Sequence, residues 1–294
     1  MDITTQYGTL HNCYNVAYHN NGQLAACICR EKSPIYMDNF SILPYFSENS
    51  RRKASPSIKF YDNGNLKAVY LEKRTTISTP WGKILTEMLT FYPNGNICRV
   101  FPLNGQISAY WSEKNEAALI DKSSFSFACG NFSARPMCFH FYETGELESL
   151  TLQPAEQIEL TTSVGKIKIK CGLSFYKNGQ LASIEPALPQ KINTPIGSIK
   201  TFNPNSVDVS ADKNSLCFSE TGLLSSCKTT TSIIAVKDNK ETVITPDTKR
   251  HPLSDTAVLT IPLTIKFAKE HITIIKNEQE IFQLNSNNYR FIIK

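Results

Sequence analysis

No stretch of this 294-residue chain approaches the run of about 20 apolar residues that a membrane-spanning helix needs. The opening residues, Met1-Asp2-Ile3-Thr4-Thr5-Gln6, lack the basic and apolar regions of an export signal, so a cytosolic protein is expected. Without export, nine cysteines in odd number do not make a disulfide framework. No glycine-rich loop stands between a strand and a helix, which removes the common phosphate-binding motifs. The five histidines (His11, His19, His140, His251, His271) are scattered, and none sits in a recognisable nucleophile pattern, although a triad is assembled in space rather than in sequence. Acidic pairs such as Glu143 and Glu146, or Glu146 and Glu148, fall at turns, where solvated charge is the default. Enzyme signatures are missing.

Charge is also modest. The net +5 points to no nucleic acid, and the one tight basic cluster, Arg51-Arg52-Lys53, lies among Ser and Pro, where a solvated loop is expected and contact with phosphate or anionic lipid comes second. A hydrophobic content of 41% with 10% aromatics excludes general disorder.

What the chain does have is a phrase that returns six times. It reads Phe60-Tyr61-Asp62-Asn63-Gly64-Asn65-Leu66 in one copy, and its glycines are Gly22, Gly64, Gly95, Gly145, Gly179 and Gly222. Four residues before each glycine stand Tyr18, Phe60, Phe91, Phe141, Phe175 and Phe218; six before it stand Val16, Ile58, Leu89, Phe139, Leu173 and Leu216. Two after it come Leu24, Leu66, Ile97, Leu147, Leu181 and Leu224. Even steps put these side chains on one strand face, and Gly preceded by Asn or Thr supplies a tight turn, so each copy predicts a β-hairpin. The position five after the glycine is again apolar (Cys27, Val69, Val100, Leu150, Ile184, Cys227), which breaks the period and calls for a bulge or a strand end.

A second phrase, Thr-x-x-Gly-x-Ile/Leu, begins at Thr5, Thr79, Thr162 and Thr194 and reads as a turn feeding a strand. The two phrases together align Gly8, Gly22 and Gly64 with Gly82, Gly95 and Gly145, and again with Gly165, Gly179 and Gly222. That alignment predicts three tandem modules of about 75–80 residues, near 1–75, 76–158 and 159–236, in an all-β fold of antiparallel hairpin repeats forming an extended or curled sheet. Half-copies appear at Phe101 to Ile107 and, decayed, at Phe202 to Val207. The polar span 237–255 reads as a linker, and 256–294 as a C-terminal β cap of four segments closing the last edge. Helix is expected only at Glu113 to Asp121.

The phrase Φ-x-Phe-Tyr-x-Asn-Gly-x-Leu resembles the variant MORN repeats of bacterial proteins, over roughly residues 10–228, although the steps between copies here are irregular. The resemblance implies a string of β-hairpins with a binding or scaffolding role and no catalytic residue.

Cysteine and histidine offer little more. Cys27-x-Cys29 and Cys138-x-His140 each share a strand face, but neither recurs at zinc-site spacing, so no metal and no cofactor are expected and the cysteines read as small hydrophobes. One column, three before the glycine, holds His19, Tyr61, Tyr92, Tyr142, Tyr176 and Ser219, on the face opposite the Phe column. It either stiffens the hairpins, which the enrichment of aromatics in strands favours, or presents a recognition face made of Tyr61, Tyr92, Tyr142, Tyr176 and His19. The functional expectation is a non-enzymatic cytosolic binding or scaffold protein for a partner protein. Peripheral membrane contact and oligomers through edge strands stay open, as does the alternative of a ligand-binding or hydrolytic β protein with its site between modules.

Overall fold

The computed structural model describes residues 1–37, 40–47, 51, 55–207, 209–254, 256–269, 271–285 and 288–293, and it is almost entirely antiparallel β. Two compact units are resolved: 1–122 with 135–150, and 123–134 with 151–294. In the described residues the only helix is Glu113–Ala117. It covers the first half of the expected segment and is capped by Ser112, whose hydroxyl accepts from Asn115 N–H.

All six phrases make one turn. The residue three before each glycine gives its N–H to the carbonyl one after it, at 2.8 Å in every copy, and the glycine N–H returns to the carbonyl of that same residue. The six glycines hold φ between 79° and 103°, which L side chains resist. This is a type I turn closed by a left-handed glycine, the usual three-residue hairpin loop. The preceding asparagine has no positive φ here, contrary to the sequence reading of Asn-Gly. Its work is a side-chain bond: Asn21, Asn63, Asn94 and Asn178 each accept from the N–H two residues on, at 2.9–3.1 Å.

A bulge follows three residues after the glycine in five of the six copies. In the second copy Phe60 pairs with Leu66 but Lys59 pairs with Ala68, and equivalent shifts occur at Ala25, Cys98, Ala182 and Ser225. The extra residue brings the apolar position five after the glycine back to the core face, opposite the residue six before it, as in Ile58↔Val69 and Leu173↔Ile184. Phe60, Phe91, Phe141, Phe175 and Phe218 are 3% exposed or less.

Within the first unit each hairpin pairs with the next: Leu24–Ile28 with Ile58–Phe60, Leu66–Thr79 with Gly82–Phe91, and Ile97–Phe101 with Pro136–Phe141. The turns are tied side by side as well. Asn21 Nδ2 donates to Asp62 O, Asn63 and Asn65 to Pro93 O, and Asn96 to Glu143 O, all at 2.7–2.9 Å. The Thr-x-x-Gly phrases are two-residue hairpin loops. Thr5, Thr79, Thr162 and Thr194 pair with Gly8, Gly82, Gly165 and Gly197, and each hydroxyl donates to its glycine carbonyl at 2.7–2.8 Å.

In the second unit a ladder runs from Ile158–Thr162 through Gly165–Phe175, Leu181–Pro186, Leu216–Phe218 and Leu224–Thr229. It continues into Leu263–Phe267, His271–Lys276 and Gln279–Asn285. The expected cap therefore extends the ladder. The span 237–255 is no linker: Lys240–Ile244 pairs with Ile233–Lys237, which also takes Arg290–Ile293, and Asp247–Arg250 pairs with Val258–Ile261. Its polarity belongs to an exposed ribbon whose turn residues Asp238 and Asn239 hold φ of 49° and 59°. Asp255 and Lys294, at the ends of the expected linker and cap, lie outside the described residues.

The half-copy at Gly105 makes no hairpin. Its N–H goes to Glu116 Oε1 at 2.6 Å, and an added Cβ would meet that carboxylate. Glu116 also accepts from Trp111 Nε1 at 2.7 Å and pairs with Arg51, whose other amino group pairs with Glu87, itself an acceptor for Asn104 N–H at 2.8 Å. Arg51 is thus mostly buried in an ion network and not part of a solvated basic loop; Arg52 and Lys53 lie outside the described residues. The span of the other half-copy, Phe202 to Val207, is likewise a loop.

Replacing Phe91 by Ala is expected to cost about 3–5 kcal/mol, because a fully buried aromatic leaves a cavity. Denaturant melts that place Phe91→Ala within 1 kcal/mol, on the order of a surface change, would remove this column from the core.

Candidate binding grooves and the tyrosine column

The tyrosine column is bonded to the next hairpin. His19 Nε2 lies 3.0 Å from Phe60 O, Tyr61 OH donates to Phe91 O at 2.9 Å, Tyr92 OH to Phe141 O at 2.7 Å, and Tyr176 OH to Phe218 O at 2.7 Å. Each of these four side chains thus reaches the backbone of the following copy's Phe. These residues and Tyr142 are half-buried. Burial pushes the Tyr61, Tyr92 and Tyr176 phenols above their ordinary range. The polar tips expected on a recognition face are spent on the fold.

Cys98, a bulge residue, joins this column to His140 and Glu148. Burial opposes ionisation of its thiol, yet the neighbouring His140 and Tyr92 hold it below the usual thiol value. His140 Nε2 is 3.4 Å from Glu148 Oε2 and 3.5 Å from Tyr92 OH. A catalytic relay needs the base to face its carboxylate with one nitrogen and its proton donor with the other. Here Nε2 meets both the carboxylate and the phenol, and the group is a polar cluster on the sheet face.

Open space lies elsewhere. A groove of about 440 Å³ is walled by Tyr18, Phe60 and Leu24, with Gln6, Gln23, Asn63 and the backbone of Gly22 and Gly64 at its edges. The Thr5–Gly8 hairpin forms one side, and Gln6 Nε2 donates to Gly64 O at 3.2 Å. Tyr18 is 53% exposed, although the other five copies bury a Phe at this position. A smaller groove of about 160 Å³ recurs in the second unit between Thr162-Ser163, Gly179 and Gly222, with Phe175 and Phe218 as walls. In the middle of the chain the equivalent hairpin carries larger side chains: Pro80 Cγ stands 3.1 Å from where a Cβ on Gly145 would be, and Trp81 packs on Phe139 with ring centres 5.8 Å apart. The open grooves follow from small or polar residues (Gln6, Ser163) where Pro80 stands.

Two further groups are polar and buried. Glu185 accepts from Ser215 N–H and Oγ at 2.9 and 2.7 Å, beside a 290 Å³ cavity that also takes in Asn203, Asn214 and Lys228. Burial raises its carboxyl above the ordinary range against the pull of Ser215, Lys170 and Lys228. Cys171, on the same cavity, holds φ of 64°, a strained value for a residue with a side chain. In the first unit Cys13, Cys27 and Cys29 place their Sγ atoms within 4.8 Å of one another. The sequence reading paired Cys27 with Cys29 but had no signal for Cys13. Burial pushes the Cys13 thiol up to about 11, while a hydrogen bond from Cys27 lowers Cys29.

No family model, curated protein or solved structure matches the chain.

Two measurements test these assignments. Tyr92→Phe should cost about 0.5–1.5 kcal/mol, the net worth of one hydrogen bond, with Tyr36→Phe on the surface as a neutral control; equal melts would show that the bond contributes nothing. For Glu185 the folded pKa is raised, so its contribution to stability is full below the ordinary carboxylate value and is lost as pH rises through the raised one. Glu185→Gln should flatten that part of the stability–pH curve, and an unchanged curve would contradict the assignment.

Proposed function

We propose that the protein is a non-enzymatic binding or scaffold protein that receives an extended segment of a partner protein in the groove at Tyr18. The observation that carries this reading is the break in the column: five copies bury Phe, and the first exposes Tyr beside open space. An aromatic wall with a hydrogen-bonding tip suits an apolar side chain of the partner, and the amide of Gln23 suits its backbone. The recognition site moves from the expected Tyr face to this groove, because His19, Tyr61, Tyr92 and Tyr176 are bonded within the array. The resemblance to MORN repeats agrees with a binding role, and nine free thiols agree with a reducing cytosol. No helix among the described residues is long and apolar enough to cross a membrane. The ligand-binding alternative draws on one observation, the polar cavity at Glu185.

An array of extended peptides should yield binders for the intact protein that Tyr18→Ala loses by about tenfold or more, the effect of a binding hot spot, while Tyr36→Ala keeps them. Binders indifferent to Tyr18 and to Gln23→Ala would place recognition outside this groove.

A further inference from the structure

Three thiols converge in the first unit at positions where the hairpin pattern does not ask for cysteine. Cys27 occupies the column that elsewhere holds Val69, Val100, Leu150 and Ile184, so a small hydrophobe suffices there. Cys29 stands two residues on, where other copies have Leu71, Pro102, Leu152, Pro186 and Thr229. Cys13 enters from the segment between the strands Gly8–Leu10 and Tyr14–Tyr18. All three are buried free thiols. Cys13 and Cys27 sulfurs are 3.6 Å apart, and the trio lies within 4.8 Å. Thiolates at about 2.3 Å from a tetrahedral zinc sit about 3.8 Å from one another, so this spacing is close to that of a metal-bound set.

A fourth donor is near in sequence. His11 lies two residues before Cys13, with its side chain 42% exposed and its Nδ1 2.9 Å from Asp2 Oδ2. A carboxylate on Nδ1 holds the tautomer in which Nε2 carries the lone pair, the usual support for a metal-bound imidazole.

We propose that Cys13, Cys27 and Cys29 form a thiolate site for a thiophilic divalent metal, zinc foremost, completed from the solvent side by His11 Nε2. Three soft sulfurs and an imidazole select zinc over calcium or magnesium, which take oxygen donors. On binding, the three thiols release their protons to solvent and stay as thiolates, with no change of oxidation state. The site ties the segment that carries His11 and Cys13 to the first repeat hairpin, which brings Cys27 and Cys29.

The test uses the intact, fully reduced, metal-free protein titrated with cobalt(II) and then zinc under anaerobic conditions. One equivalent of cobalt should give a thiolate-to-cobalt charge-transfer band that zinc abolishes. Cys29→Ala should lose the band, His11→Gln should bind zinc about 10–100-fold more weakly, and Cys98→Ser should titrate like the parent. Far-UV circular dichroism separates loss of a ligand from loss of the fold, and the exposed His11 variant keeps the question answerable if a buried cysteine variant fails to fold. A reduced parent that gives no band and holds no zinc would overturn the site. So would a band that survives Cys13→Ala, or a Cys13–Cys27 disulfide in the protein as purified.

Discussion

One hydrogen bond recurs through the repeat array, at four of its six copies, from the side chain three before a turn glycine to the carbonyl of the next copy's aromatic four before its own glycine. Backbone pairing between consecutive hairpins is short in places; Leu24–Ile28 meets Ile58–Phe60 through two residue pairs, and Leu181–Pro186 meets Leu216–Phe218 through two, whereas Leu66–Thr79 meets Gly82–Phe91 through eight. The side-chain bond extends the contact beyond the end of that ladder, and the Asn bonds between turns extend it again in the first unit. The acceptor belongs to the very residue whose ring fills the core, so burial of Phe91 fixes the carbonyl that Tyr61 needs. Packing and polar satisfaction are coupled at one backbone unit.

The last copy shows what happens when no further copy of the phrase follows. Ser219 replaces Tyr and is too short to span the gap. Its hydroxyl instead meets Thr221 Oγ1 at 2.9 Å and accepts from Leu223 N–H at 3.2 Å, closing on its own turn. The next strand of the ladder, Leu263–Phe267, comes from outside the repeat phrase. Tyr61, Tyr92 and Tyr176 thus serve where another copy of the phrase follows, and Ser219 stands where the next strand is not a copy.

Much of this was legible in the sequence because the period of two and the turn glycine are local. The Phe column, the six turns and the bulge that rescues Val69 and Ile184 follow from offsets alone. The function of the asparagine was misread, since Asn-Gly suits two different loops and only the closing bond tells them apart. Residues 237–255 were misassigned because an exposed two-stranded ribbon has no apolar face to read. Gly105 copies the phrase yet forms no hairpin, because Glu116, Arg51 and Glu87 claim its surroundings from far along the chain. The grooves and the thiol trio escaped for the same reason: Gln6 meets Gly64, and Cys13 meets Cys27, only after the intervening hairpins have formed.

The order of pairings also sets an order of events. From Tyr14 to Phe101 each repeat strand pairs with the repeat strand before it, with Ile58–Phe60 reaching back past the paired strands Ile35–Met37 and Phe40–Ile42 to Leu24–Ile28, so pairing can advance as the chain leaves the ribosome. Ile233–Lys237 breaks that rule, since one of its partners is Arg290–Ile293 at the far end of the chain. Until Arg290–Ile293 has been made this strand has one bare edge and three buried-type residues, Ile233, Ile234 and Ala235, waiting for cover. Chains cut short before Arg290 are the ones that should aggregate, through a strand that the finished protein hides.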